Sequence, residues 1–343
     1  MSDLKRIGRD PVRFDLFGAY VSAMGSKSIR KSEAVDDFLP RARASISKSL
    51  MDEKFLHGQR VQNMFENVVV VLGHIRLIKT EDSGGGWYDA DGLAVPDFRV
   101  ILRDGEQFLV EVKNHHAHPM KKPYAMTRTY FSRLDRYGKW VGTPVRLAVY
   151  WSMINLWTVV PLETLQQRGD KYVLPLIDAA KANTMASFGD FMIGTTPPLT
   201  LRLIADTTKP RSLEGDLASF TVAEAKMFCA GGEIVRKNER NIALALLMYG
   251  NWNEKQPSLE VDEQGLPLFV TYESAPDEDS GQGFEMIGEL SGMYSRRFAL
   301  STLEQGRVAR IAAEVRPGVW GSLIPSDYKG EALRLWIFSL QPS

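Results

Sequence analysis

Residues 95–116 read VPDFRVILRDGEQFLVEVKNHH: apolar residues alternate, Asp104-Gly105 interrupts them, and the alternation resumes. That pattern folds as a β-hairpin. The loop that joins the strands sets the register. A two-residue Asp104-Gly105 turn sets Asp97 opposite Val112 and Phe98 opposite Glu111, mixing charge and hydrophobe on each face. A three-residue loop, Arg103-Asp104-Gly105, with Gly105 in the left-handed conformation, sets Phe98 opposite Val110 and Asp97 opposite Glu111. Phe98, Val100, Leu102, Phe108, Val110 and Val112 then share one clean apolar face. A slip of one residue would turn every side chain to the other face, so the second register is expected.

That register leaves Asp97, Arg99, Ile101, Gln107, Leu109, Glu111 and Lys113 on the other face. Asp97 and Glu111 stand directly opposite, about 5 Å apart at Cβ, with Lys113 two residues on. Facing carboxylates repel, and a divalent cation offsets that repulsion; hard oxygen ligands suit Mg²⁺ or Mn²⁺. Lys113, a compact charge, is placed to orient a water or to stabilise charge developing on a phosphate. The opposing possibility is a solvated face with an incidental salt bridge, against which Ile101 and Leu109 argue.

Pro96-Asp97, a hairpin-length spacer and Glu111-Val112-Lys113 resemble the signature of the PD-(D/E)XK nuclease superfamily, which includes restriction endonucleases and archaeal Holliday junction resolvases. Around them, residues 50–162 read as helix, three strands, helix and two strands, similar to that family's αβββαβ core. The resemblance implies a restriction-endonuclease-like α/β fold with a mixed sheet. It implies that Asp97 and Glu111 bind the metal with the Val112 carbonyl and that Lys113 positions the attacking water. The family often adds a glutamate from the first helix: Glu66, beside Gln62 and Gln59, fits better than Glu53. The recombination-exonuclease branch carries a glutamine on the following helix, and none occurs between Tyr124 and Val141.

Net charge is zero, but from Lys113 to Arg146 eight basic residues face one acid, and from Gln256 to Ser295 there are nine acids and no Lys or Arg. Arg128, Arg133, Arg136 and Lys139 either track a nucleic-acid backbone, with Tyr124 and Trp140 as stacking partners, or solubilise a helix face. Lys121 and Lys122 extend the same basic run. Arg99 either touches a phosphate or neutralises Asp97. His115, His116 and His118 form "NHHAH": a metal ligand (zinc included), a proton donor, a phosphate contact or a solvated loop.

The helix before the hairpin is expected from residue 50 to Gly73, with Val61, Met64, Phe65, Val68 and Leu72 on its buried face. "HIRLIKT", "VRLAVYW" and "LWTVVPL" read as strands, "EDSGGGWYDADG" as a loop, and a helix from about Tyr124 to Val141 should bury Met126, Tyr130, Leu134, Tyr137 and Val141. "GTTPPL" (194–199) reads as a linker. The expected organisation is a polar N-terminal extension (1–49), a nuclease-like domain (50–193) and a C-terminal α+β domain (200–343). The last contains a strand "LRLIAD", helices "TVAEAKMFCA" (with a Thr221/Glu224 capping box), "ERNIALALLMYG" and "TLEQGRVARIAAEV", strands near "LPLFVTYE" and "FEMIGELSG", and a terminal strand "LRLWIF". Its two helices around Gly231-Gly232 invite a DNA-reading helix-turn-helix, but the neighbouring acids favour a protein-contact or regulatory module. Trp320 and Trp336 are expected in the core.

No apolar run reaches the ~18 residues of a membrane span, the start lacks a secretory signal, and one cysteine forms no internal disulfide. A cytoplasmic protein is expected. The functional expectation is a Mg²⁺- or Mn²⁺-dependent endonuclease hydrolysing duplex or branched DNA by metal-activated water, in repair, recombination, restriction or phage defence. The alternative is a catalytically silent nuclease-fold subunit that binds DNA or a protein partner; a homodimer is left open.

Overall fold

The computed structural model describes residues 17, 20–21, 32–81, 88, 92–319, 323–325 and 327–340. The expected "EDSGGGWYDADG" loop, most of the first 31 residues and Trp320 lie wholly or mostly outside them. Helix α1 (Ser32–Leu50) leads to α2 (Glu53–Leu72). The Asp52 side chain starts α2 by accepting from the Phe55 N–H, 3.0 Å. Gly73 stops it in the left-handed region, φ 85°, donating to the Val69 carbonyl. Between these caps Val61, Met64, Phe65, Val68 and Leu72 are buried as their spacing predicts, each contributing about 1.5–3 kcal/mol by burial.

A mixed five-stranded sheet follows, in the order β1-β2-β3-β5-β6. Strands β1 (Ile75–Thr80), β2 (Phe98–Leu102) and β3 (Gln107–His115) form an antiparallel meander. Past β4 (Tyr124–Thr127) and helix α3 (Arg128–Trp140), the chain returns as β5 (Val145–Trp151) parallel to β3, and β6 (Leu156–Pro161) closes antiparallel on β5. In the hairpin Phe98 pairs with Val110 and Val100 with Phe108, and Gly105 takes φ 98°. The apolar face (Phe98, Val100, Leu102, Phe108, Val110, Val112) packs with α2; the other, from Leu109 to Leu147 and Val149, packs with Leu134 of α3. Successive residues of β3 thus feed two different cores, and no face of it is left to water.

Several expectations are corrected. Tyr124–Thr127 is a strand, and α3 starts only at Arg128, because Tyr124 and Met126 alternate into the core against Leu174 and Tyr172 of β8 (Lys171–Leu174), which also pairs with β7 (Gln166–Arg168). "TVAEAKMFCA" is the strand Val222–Cys229, not a helix. It pairs along β10 (Leu199–Ala205), and that ladder overrides the local helix signal. "TLEQGRVARIAAEV" is not a helix either. Gln305 and Gly306 have positive φ and turn Leu303–Glu304 back onto Arg307–Val308. The strand expected at "FEMIGELSG" ends at Glu289, and helix Leu290–Thr302 follows, unforeseen. In chain order this helix is α6, after α4 (Leu176–Lys181) and α5 (Lys237–Tyr249).

"GTTPPL" is no free linker: Gly194 and Thr195 belong to β9 (Met192–Thr195) and Leu199 begins β10. β9 lies between Glu285–Glu289 and Leu335–Phe338. One buried cluster runs without interruption from Val61 of α2 to Leu290, Met293 and Phe298 of α6 and Leu333. Trp336 is half-buried, stacked on Phe284 with ring centroids 4.6 Å apart, rather than in the core. Among the described residues no helix is long and apolar enough to cross a membrane.

Candidate active site

β2 and β3 pair as far as Phe98 and Val110, and there Asp97 intervenes. Its Oδ2 accepts from the Val112 N–H (2.7 Å) and its Oδ1 from Gln62 Nε2 of α2 (2.6 Å). A side-chain oxygen thus takes a ladder hydrogen bond that a backbone carbonyl would otherwise accept. Glu111, only 2% exposed, is held by Lys113 Nζ in a close ion pair and by the Tyr130 hydroxyl, which donates to Oε1 at 2.5 Å. Lys113 also lies 5.0 Å from the centre of the Tyr130 ring and donates to its hydroxyl at 3.4 Å.

Charge and burial oppose each other here. Burial, and then the neighbouring Glu111, pushes the Asp97 carboxyl up to about 7, while the Val112 and Gln62 hydrogen bonds and Lys113 pull the other way. Burial alone would lower the Lys113 pKa, but Glu111 outweighs it and holds the ammonium above its ordinary value. Burial and then Glu111 raise the Tyr130 phenol, which stays a neutral donor. The cluster therefore has two carboxyl groups for one ammonium. The two carboxyl groups are hard oxygen donors of the kind Mg²⁺ and Mn²⁺ prefer, and a dication would offset the surplus negative charge. Among the described residues no group of three or more His, Cys, Asp or Glu is placed to hold a metal.

The structure therefore joins Asp97, Glu111 and Lys113, and adds Gln62 and Tyr130. Glu66 is half-buried one turn beyond Gln62. The charges acting on Asp97 are those of Glu111 and Lys113. Neither Gln62 nor Tyr130 was singled out from sequence, because each comes from a helix remote from the hairpin. The signal for Tyr130 was its place on the inward stripe of α3, read there only as packing.

The basic residues mostly serve the fold. Arg99 pairs with Glu81 through two hydrogen bonds, 2.8 and 3.1 Å, so it neutralises Glu81 rather than Asp97. Arg136 donates to the Gly92 carbonyl (3.1 Å), and the Arg133 carbonyl accepts from Ala94. Both fasten the segment leading into Asp97. Lys139 pairs with Asp135 on the exposed side of α3. His115 is buried against Trp151 with Nε2 at the Lys122 carbonyl (2.9 Å), which takes it out of reach of a phosphate backbone. His116 lies apart from it, between Ser152 (2.9 Å) and Asn114 (2.8 Å). His118, Lys121, Lys122, Arg128 and Trp140 are exposed, whereas Tyr124 is buried and cannot stack on a base.

No family model matches the chain, and no curated protein matches it. Among solved structures the chain is similar to Hjc, a Holliday junction resolvase of the archaeal hyperthermophile Archaeoglobus fulgidus. The two share 12% identity over 33% of this chain and 84% of that one, with a TM-score of 0.27. A likeness so remote carries no functional argument; the side chains at the hairpin's end have to carry it.

Proposed function

We propose that the chain is a metal-dependent nuclease that hydrolyses phosphodiester bonds of DNA, with Asp97 and Glu111 as metal ligands and Lys113 beside the attacking water. The observation that carries this is the meeting of the buried Glu111 with the half-buried Asp97 and Lys113, where burial and then Glu111 push the Asp97 carboxyl up to about 7. A site built only for stability would not set a half-buried carboxyl against a buried one. The αβββαβ order of α2, β1–β3, α3 and β5 adds support for a PD-(D/E)XK-like core. A divalent cation held there would polarise the scissile phosphate and offset the charge of the departing oxygen.

The chain's own residues prepare that reaction. Gln62 and the Val112 N–H fix the Asp97 carboxylate from two directions, and Tyr130 fixes Glu111. Lys113, kept charged by Glu111, is placed to orient a water and to meet negative charge on the phosphate. The exposed Lys121, Lys122 and Arg128 remain available to a DNA backbone. A reducing cytoplasm suits the free, buried Cys229.

Incubating plasmid, branched duplex and single-stranded DNA with the protein and Mg²⁺ or Mn²⁺ tests the reading. Cleavage should fall by at least about a hundredfold in Lys113→Ala, Asp97→Asn and Glu111→Gln. Cleavage by Lys113→Ala at the wild-type rate would exclude it. A second reading, a silent nuclease-fold subunit that binds DNA or a protein, is favoured by the hold that Lys113 and Tyr130 already have on Glu111. Calorimetric Mn²⁺ titration separates the two: a silent subunit shows no metal affinity dependent on Asp97 and Glu111.

A further inference from the structure

Between the β5–β6 turn and α6 lies a cavity of about 490 Å³, lined among others by Tyr150, Ser152, Met153, Ile154, Asn251 and Arg296. Arg296 lines it, the charge of the buried Arg60 reaches its wall at Tyr150, and neither has an acidic partner among the described residues. Arg60, only 5% exposed, reaches from α2 to donate to Thr302 Oγ1 (2.8 Å) and lies 5.6 Å from the Phe298 ring. Arg296 donates to the Gly250 carbonyl. Both guanidinium charges are felt at the Tyr150 hydroxyl, and among the described residues no carboxylate acts on either of them. Glu289, at the start of α6, pairs with neither; burial holds its carboxyl above the ordinary range.

A cation buried without an anion is costly, by several kcal/mol in an apolar setting. Neighbouring pairs elsewhere in the chain, such as Arg99 with Glu81 and Arg211 with Asp262, show how such charges are otherwise met. Among the described residues no carboxylate meets either guanidinium, and an anionic ligand would supply the missing charge. The Arg296 guanidinium, on the same wall as the Tyr150 and Ser152 hydroxyls, suits a phosphoryl group. The cavity is far larger than a phosphate ion, and its rim exposes Met153 (59%) and Ile154 (40%), apolar surface fit for a sugar or a base.

We propose that this cavity binds one nucleoside phosphate, with the phosphoryl group at Arg296 and Tyr150 and the sugar or base on Met153 and Ile154. The occupant is either a free nucleotide or one nucleotide of a strand, and the strand as source rests on the nuclease reading. The placement suits a strand. Asn114 pairs with Tyr150 across the β3–β5 ladder, one residue beyond Lys113, and His116 links Asn114 to Ser152 at the cavity wall.

Calorimetric titration of the full chain, free of divalent metal, with deoxyadenosine 5′-monophosphate, deoxyadenosine and inorganic phosphate tests the site. The monophosphate should bind, the nucleoside at least about tenfold more weakly, and Arg296→Gln and the rim variant Met153→Glu should each weaken the monophosphate about tenfold. Asp97→Asn should leave its binding unchanged. Displacement of the monophosphate by a single-stranded oligonucleotide assigns the site to a strand; failure to displace assigns it to a free nucleotide. Absence of monophosphate binding, binding indifferent to both substitutions, or loss of binding in Asp97→Asn would overturn the proposal. A wild-type chain that binds the nucleotide but cuts no DNA leaves the pocket standing and removes the nuclease reading instead.

Discussion

Asp97 is kept in place by two donors and opposed by one neighbour, which makes it a residue the fold tolerates rather than profits from. Asp97→Asn keeps the shape and removes the repulsion. Without metal it should raise stability by roughly 1 kcal/mol in urea denaturation while abolishing Mg²⁺-dependent cleavage. A destabilised variant would mean that the carboxylate is a structural anchor. Tyr130→Phe does the reverse. Glu111 loses a buried donor, and stability should fall by about 1–3 kcal/mol on the same measurement. The three central residues were legible because the register alone puts them together, and alternation fixes register. Gln62 and Tyr130 were not, since contact between a helix and a strand 35 or 19 residues away leaves no periodic trace. The same blindness made Arg99 and Arg136 look like DNA contacts: sequence shows a charge but not the Glu81 carboxylate or Gly92 carbonyl that engages it.

Helices and strands were read well where local pattern and tertiary need agree, as in α2 and the hairpin, and badly where a partner strand decides. Val222–Cys229 carries good helix formers and a capping box, yet β10 recruits it. Helix α6 was missed because it is buried on most sides, from Leu290 to Ser295 without a break, and so shows no polar face to reveal its period. Its start is capped from afar: Asp190 accepts from the N–H and hydroxyl of Ser291. Burial raises the Asp190 carboxyl to about 7. Because the folded pKa is raised, the stabilisation is full below the unfolded carboxylate value and is lost as pH rises through about 7. Urea midpoints should therefore be higher at about pH 5.5 than at about pH 8.5, and Asp190→Asn should flatten the difference. An unchanged slope in that variant would show that another group is responsible. In α3, a Cβ added at Gly138 would meet Val145 Cγ2 at 2.8 Å and the Thr143 carbonyl at 3.0 Å. Gly138→Ala should lift the helix that carries Tyr130 and cost about 1–3 kcal/mol in chemical denaturation.

The molecule as a whole is tied together more tightly than its sequence suggests. Composition and a Pro-rich stretch at 194–199 suggested a boundary, but strand pairing and a buried cluster from Val61 to Leu333 run across it. Asn155 of the β5–β6 turn donates to the Gly292 carbonyl of α6, and Trp157 to Ser295. Calorimetry should therefore give one unfolding transition, and a fragment ending at residue 193 should not fold alone, as judged by far-ultraviolet dichroism and protease resistance. Two separate transitions would refute this. Charge is also distributed at this level: acids gather in the 256–295 stretch, and only part of the basic 113–146 run is left exposed.

An aspartate that stands in for a main-chain acceptor has a further effect. Whenever its oxygen turns toward another partner, the amide proton of Val112 is left to find one. That proton is therefore a natural reporter: its nuclear magnetic resonance shift and its exchange with deuterated solvent should move when a cation is added, and stay still when Asp97 is replaced.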